Sequence, residues 1–228
     1  RVHPICLNKE MANRANKLYR IEKTEHLYNG IRLSEYSGLS EDNKKQLRNS
    51  LGINEDETVI GHVGRFVPIK NHQLIVEVFS EYVKKHQNSK LLLIGEGPEF
   101  NNIKVLAEQK NLADKAVFTG VRSDVPQLLQ IMDKYIFPSK VEGLGISVIE
   151  AQAAGLPCVI SNIIPVESVV SDSVTRVNLD DGIDVWVNAL EGNIPCIEKT
   201  MDLKCYSNTV INNNLRNIYA KYCKGGKA

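Results

Sequence analysis

Net charge is almost absent from this chain: 28 lysines and arginines stand against 27 aspartates and glutamates in 228 residues, leaving +1 at pH 7. So even a balance makes no broad positive field, which argues against nucleic acid as a partner. Paired cysteines are also missing. Cys6, Cys158, Cys196, Cys205 and Cys223 form no C-x-x-C pair and no zinc spacing, and Cys158 lies in an apolar run. They read as reduced thiols, not a disulfide framework, and the expected compartment is the cytoplasm. No stretch approaches the roughly 20 apolar residues that span a bilayer. The first residues do not form a signal peptide, so any association with the inner face of a membrane is expected to be peripheral. Low-complexity linkers and internal repeats are absent too, and the length suits one large domain, or one domain with appendages.

What the chain does have is alternation. Runs with strand character at 59–63, 91–94, 116–119, 135–137, 158–160 and 174–178 are separated by helical patterns at 73–85, 99–110, 125–132, 147–154 and 182–190. This βαβ repeat predicts an α/β fold, a doubly wound, Rossmann-like parallel sheet. Further helices are expected at Lys9 to Tyr19, at Glu41 to Leu51 with Ser40 as cap, and at Ser207 to Tyr222, followed by a frayed tail from Lys224 to Ala228. The single tryptophan, Trp186, reads as helix packing.

The most informative stretch runs from Pro138 to Gly155. Glu142 and Glu150 stand eight positions apart across a helix start containing Gly143 and Gly145. A strand-to-helix turn of this kind aims unpaired backbone N–H groups and a helix dipole at one point, which suits a phosphate. Glu150, about one turn into the helix, leans back toward that point, while Glu142 lies in the turn. Carboxylates flanking a phosphate site make sense if the phosphate is joined to hydroxyl-rich rings, because a carboxylate accepts bidentate bonds from vicinal hydroxyls. Two solvated acids on a surface helix would share the same bare spacing.

A second loop, Gly61-His62-Val63-Gly64-Arg65-Phe66-Val67-Pro68-Ile69-Lys70, follows a strand. A diphosphate leaving group carries about two negative charges that must be neutralised as its bond breaks. No two aspartates are separated by one residue, the pairing that could hold a divalent metal for this purpose. Arg65, a rigid fork, and Lys70, a mobile point charge, suit two neighbouring phosphates without a metal or other cofactor. An ordinary turn with exposed basic residues is the plainer reading. His62 reads as a packed histidine at a strand end. Two more strands end in glycine turns, Lys90 to Glu99 with Pro98 set for the first helical position, and Ala116 to Arg122.

In their order, these segments resemble the carboxyl-terminal half of retaining glycosyltransferases with the GT-B fold, family 4 in particular. Glu142-Gly143-Leu144-Gly145 with Val148-Ile149-Glu150-Ala151 and Gly155-Leu156-Pro157 resembles the E-x7-E motif, Gly64 to Lys70 the G-R-x4-K loop, Gly95-Glu96-Gly97-Pro98 the G-x-G-P turn, and His26 to Ile31 the V-x-x-N-G-I crossing between domains. The resemblance implies a nucleotide diphosphate sugar donor, a glycan or lipid-linked acceptor, transfer with retention of configuration, and a place in surface polysaccharide synthesis. It implies that Glu142 faces the donor sugar, that Arg65, Lys70 and the amides of Gly143, Leu144, Gly145 and Ile146 stabilise the leaving diphosphate, that Glu150 holds the ribose, and that Gly64, Val121 and Arg122 contact the donor. Arg122 either reaches the base or sits on the surface.

The matching organisation is 1–28 as the remnant of an amino-terminal domain, 29–195 as the nucleotide-sugar-binding domain, and 196–228 as a helix and tail. The acceptor domain of such enzymes would then be missing, as in a fragment or truncated product. After the strand at 158–160, Ser161 to Glu167 departs from the family's glycine-rich loop, and Ile163 and Ile164 would restrict close backbone approach. A two-carboxylate glycosidase is disfavoured, because its acids bracket one bond from opposite sides. A GT-B-like epimerase is poorly served by this pair of motifs, and a non-catalytic module that keeps the nucleotide pocket stays open.

Overall fold

Apolar runs long enough to be buried on both faces decide the centre of the molecule. A computed structural model describes residues 4–21 and 24–223; the expected tail from Lys224 lies outside the described residues. In chain order the elements are β1 (Ile5–Cys6), α1 (Lys9–Tyr19), β2 (Glu25–His26), α2 (Glu41–Ser50), β3 (Thr58–Val63), α3 (His72–Lys85), β4 (Ser89–Ile94) and α4 (Phe100–Gln109). They continue as β5 (Ala116–Phe118), α5 (Val125–Leu129), β6 (Lys134–Phe137), α6 (Ile146–Ala153), β7 (Cys158–Ser161), β8 (Val174–Val177), α7 (Ile183–Leu190) and α8 (Asn208–Cys223).

Six strands form one parallel sheet in the order β5-β4-β3-β6-β7-β8. Parallel strands need helical crossovers, and these cover both faces, so β4 reads as a continuous apolar run instead of an alternating one. Leu91 and Leu93 pack on one side with Ile75, Phe79 and Trp186, while Leu92 and Ile94 pack on the other with Leu128 and Ile149. Each such side chain contributes about 1.5–3 kcal/mol by leaving water. Trp186 is fully buried on α7, a packing residue as expected.

Several boundaries differ from the sequence reading by one to three residues, and two of the differences have a visible cause. Helix α5 stops at Leu129 instead of running to Met132, because the Asp133 carboxylate accepts from the Val59 amide at 2.7 Å and from Arg48 at 2.9 Å, which draws the chain into β6. Pro98 is not the first helical residue: α4 begins at Phe100, whose amide bonds back to the Gly97 carbonyl at 3.0 Å. Ser40 caps α2 as expected, its side chain accepting from the Asn43 amide.

Beside the sheet, β1 and β2 form a short parallel pair crossed by α1. Residue Ile31 then runs against the start of α8, with its amide 2.8 Å from the Tyr206 carbonyl and its own carbonyl 3.0 Å from the Asn208 amide. The chain winds outward from β3 to β5, then returns to begin β6 on the other side of β3. That reversal opens a crevice beyond the carboxyl ends of β3 and β6, where open parallel sheets bind ligands.

Candidate active site

The loop leaving β3 is pinned by its one aromatic residue. Phe66 is fully buried and stacks on His72 with ring centroids 3.9 Å apart. Its neighbour Arg65 is exposed and has no hydrogen-bond or ion-pair partner among the described residues, so its guanidinium is available to a ligand. The loop leaving β4 lies directly against this one. A Cβ placed on Gly97 would sit 2.4 Å from the Phe66 carbonyl oxygen, so a side chain there would drive the two loops apart. Arg65, Gly95, Glu96, Gly97 and the exposed Val121 line an open groove of about 500 Å³.

The loop leaving β6 meets the β3 loop from the other side, with the Lys140 amide 2.7 Å from the Ile69 carbonyl. Lys70 and Glu142 form an ion pair, and the Lys70 ammonium also lies 5.0 Å from the centroid of the Phe137 ring. The two side chains are only 19% and 11% exposed, so the pair is largely withdrawn from water. Gly145 adopts a left-handed conformation, φ +72°, and opens α6, which has no side-chain cap. Its first amides therefore face the crevice without a side chain claiming them. Leu144 is buried and its carbonyl accepts from Ser168, which ties the turn down from below.

Glu150 lies one turn into α6 and accepts a hydrogen bond from the Tyr36 hydroxyl at 2.8 Å. Burial raises its pKa above the ordinary carboxylate value, and the Tyr36 bond opposes that shift. His62 is buried and donates from Nδ1 to the Ile136 carbonyl at 2.9 Å, with His72 edge-on at 4.7 Å. Burial holds His62 well below its ordinary pKa and lowers His72 to about 4, so both rings are neutral packing groups.

Lys70 and Glu142 thus meet across the crevice, Gly143, Leu144, Gly145, Ile146 and Glu150 follow in the turn and first turn of α6, Arg65 and Val121 line the groove beside the β4 loop, and Gly64 packs against Gly95. Arg122 is different. Its fork is held by Asp124, two residues on, in a bidentate pair at 2.8 and 2.6 Å. Tyr36 was not legible as a site residue. Nor was Asn8, which caps α1 and donates to the Gly143 carbonyl, although an asparagine just before a helical pattern is a recognisable cap signal. Among the described residues, no three His, Cys, Asp or Glu side chains converge as a metal site would need.

Comparison with known proteins bears on this geometry. The family described as Glycosyl transferases group 1 matches residues 43–196. A putative glycosyltransferase of Bacillus subtilis, EpsF, is 35% identical over 173 residues, which cover 74% of this chain and 44% of that protein. The UDP-Gal:alpha-D-GlcNAc-diphosphoundecaprenol alpha-1,3-galactosyltransferase of Escherichia coli is 29% identical over 194 residues, 82% of this chain and 49% of that one. The chain therefore spans about half the length of these curated relatives. Among solved structures, Anabaena HepE in complex with UDP-glucose superposes with a TM-score of 0.79 at 19% identity, covering 95% of this chain and 63% of that one. That likeness is one of fold, the α/β half of a GT-B structure.

Proposed function

This chain belongs to the group 1 glycosyltransferases, and we propose that it forms the donor-binding half of an enzyme that transfers a hexosyl group from a uridine diphosphate sugar, with retention of configuration, to a glycan or lipid-linked acceptor in surface polysaccharide synthesis. The observation that carries this reading is the meeting of Lys70 and Glu142 across the β3–β6 crevice, at the uncapped start of α6. The UDP-glucose held by HepE and the UDP-galactose named for the E. coli relative favour uracil as the base.

In this mechanism the bond between the anomeric carbon and the β-phosphate oxygen breaks as the acceptor oxygen bonds to the same face, and the departing phosphate oxygen takes the acceptor proton. Arg65, Lys70 and the amides at the start of α6 stabilise the charge that collects on the diphosphate. Glu142, released from Lys70 when phosphate arrives, holds the sugar hydroxyls and favours positive charge on the ring. Glu150 accepts from the ribose. Residues 29–195 are the nucleotide-sugar-binding unit in this reading, and the acceptor is held by a domain that lies in the other half of such enzymes.

Calorimetric titration with UDP, GDP and ADP tests the donor pocket. UDP should bind, and both Arg65→Ala and Glu150→Gln should weaken it roughly tenfold or more, the loss of one charge-assisted contact each. A folded wild-type chain that binds none of the three diphosphates would overturn the reading.

A further inference from the structure

Glu150 is held by a residue from a distant part of the chain. Tyr36 ends a 3₁₀ turn, Leu33–Tyr36, is 5% exposed, and places its hydroxyl 2.8 Å from Glu150 Oε1. The turn itself is clamped by one side chain: Gln130 donates to the Glu35 carbonyl at 3.0 Å and accepts from the Leu39 amide at 3.0 Å. The other Glu150 oxygen takes no bond from any described residue and is not sealed from solvent.

We propose that Tyr36 is a positioning residue of the nucleotide pocket: it fixes the Glu150 carboxylate by one oxygen, leaves the other open to a ribose diol, and so sets a preference for ribonucleotides over their deoxy counterparts. The inference rests on the reading of Glu150 as the ribose acceptor. A diol donates two hydrogen bonds, which an acceptor-only carboxylate can take and a protonated one cannot take as well. A carboxylate free to rotate must also lose that freedom on binding, whereas one already bonded at one oxygen is set in advance. Burial works against ionisation at Glu150, and the phenol is the group that works for it. The titratable groups facing Glu150 are Tyr36 from the turn and Tyr135 from β6, and burial keeps both phenols protonated, so Glu150 is the one that titrates.

The test is calorimetry on the full chain with UDP, 2′-deoxy-UDP and 3′-deoxy-UDP, and with the guanosine and adenosine sets, across the pH range of ligand stability. The wild type should prefer the ribonucleotide by roughly tenfold to a hundredfold, the range of a hydrogen bond to a charged group. Glu150→Gln should abolish that preference. Tyr36→Phe, which keeps the buried ring, should narrow it to a few-fold and move the pH at which affinity falls upward, because the carboxyl now protonates more easily. Retention of both the preference and the pH profile in Tyr36→Phe, while Glu150→Gln loses them, overturns this proposal alone. Unchanged discrimination in Glu150→Gln, or no binding of any ribonucleotide, overturns the ribose reading and this proposal with it. If Tyr36→Phe does not fold, Gln130→Ala frees the turn without touching the phenol; it should narrow the preference, and an unaltered preference counts against the proposal.

Discussion

Replacing Lys70 by methionine keeps a long apolar stem over the Phe137 ring but leaves the Glu142 carboxylate, 11% exposed, without its cation. Two unit charges about 4 Å apart near a protein surface attract by about 4 kcal/mol before any cost of desolvation, and a pair fully in water nets about 0–1 kcal/mol. With 19% and 11% exposure this pair lies between those limits. A hydrogen bond between charged groups contributes about 1.5–3 kcal/mol, so the coupling expected from a cycle of Lys70→Met, Glu142→Gln and the double variant is about 2 kcal/mol. Urea melts of the four proteins measure it, each variant being compared by midpoint at constant slope. Saturating UDP supplies the decisive contrast. If Lys70 turns to the phosphate when the donor arrives, the coupling should fall to within the roughly 0.5 kcal/mol that independent sites show. Additivity at that level without nucleotide would refute the pairing, and a coupling unchanged by bound UDP would refute the exchange of partners.

The neutral histidine under the β3 loop gives a pH dependence. His72 protonates near pH 4 in the folded chain and near 6.5 when unfolded, so its contribution is complete above 6.5 and is lost as pH falls through 4; the difference corresponds to about 3 kcal/mol. His72→Phe should flatten the acid limb of a stability profile by that order, and an identical limb would count against it. Gly97→Ala should cost about 1–3 kcal/mol, because its Cβ would meet backbone at 2.4 Å with no flexible side chain to move aside. A thermal midpoint equal to the wild type would show that the β3 and β4 loops are not in such close contact.

The central sheet was legible because two-sided burial leaves a plain mark. Leu91 to Ile94 could hardly be anything but a central strand, and Ser40 announced its helix by the chemistry of capping. The ends of α5 and α4 were less so, since Asp133 and Gly97 act there through bonds to other segments. At the site, the motifs placed Lys70 and Glu142 in loops that follow separate strands, but only the fold makes those strands, β3 and β6, neighbours and brings the two side chains into contact. Arg122 could not be settled from sequence, because either a ligand or Asp124, two residues on, can take its fork. Tyr36 was invisible for a simpler reason: its partner is 114 residues away, and a tyrosine in a 3₁₀ turn has no periodicity to give it away.

The seam between residue Ile31 and α8 has a consequence for the order in which the molecule is made. Tyr222 bonds Glu25 across 197 residues of sequence, and Tyr28, Ile31 and Tyr36 share their core cluster with Tyr206 and Ile211. Contacts this far apart close late, because the intervening loop must be ordered before they gain anything. On a ribosome, β3 through α7 can assemble as soon as they emerge, while the early segment waits for its partner helix. The crossing at 25–31 therefore settles among the last parts of the fold, whereas the turn bearing Tyr36, clamped by Gln130 and bonded to Glu150, has its partners as soon as α6 is made.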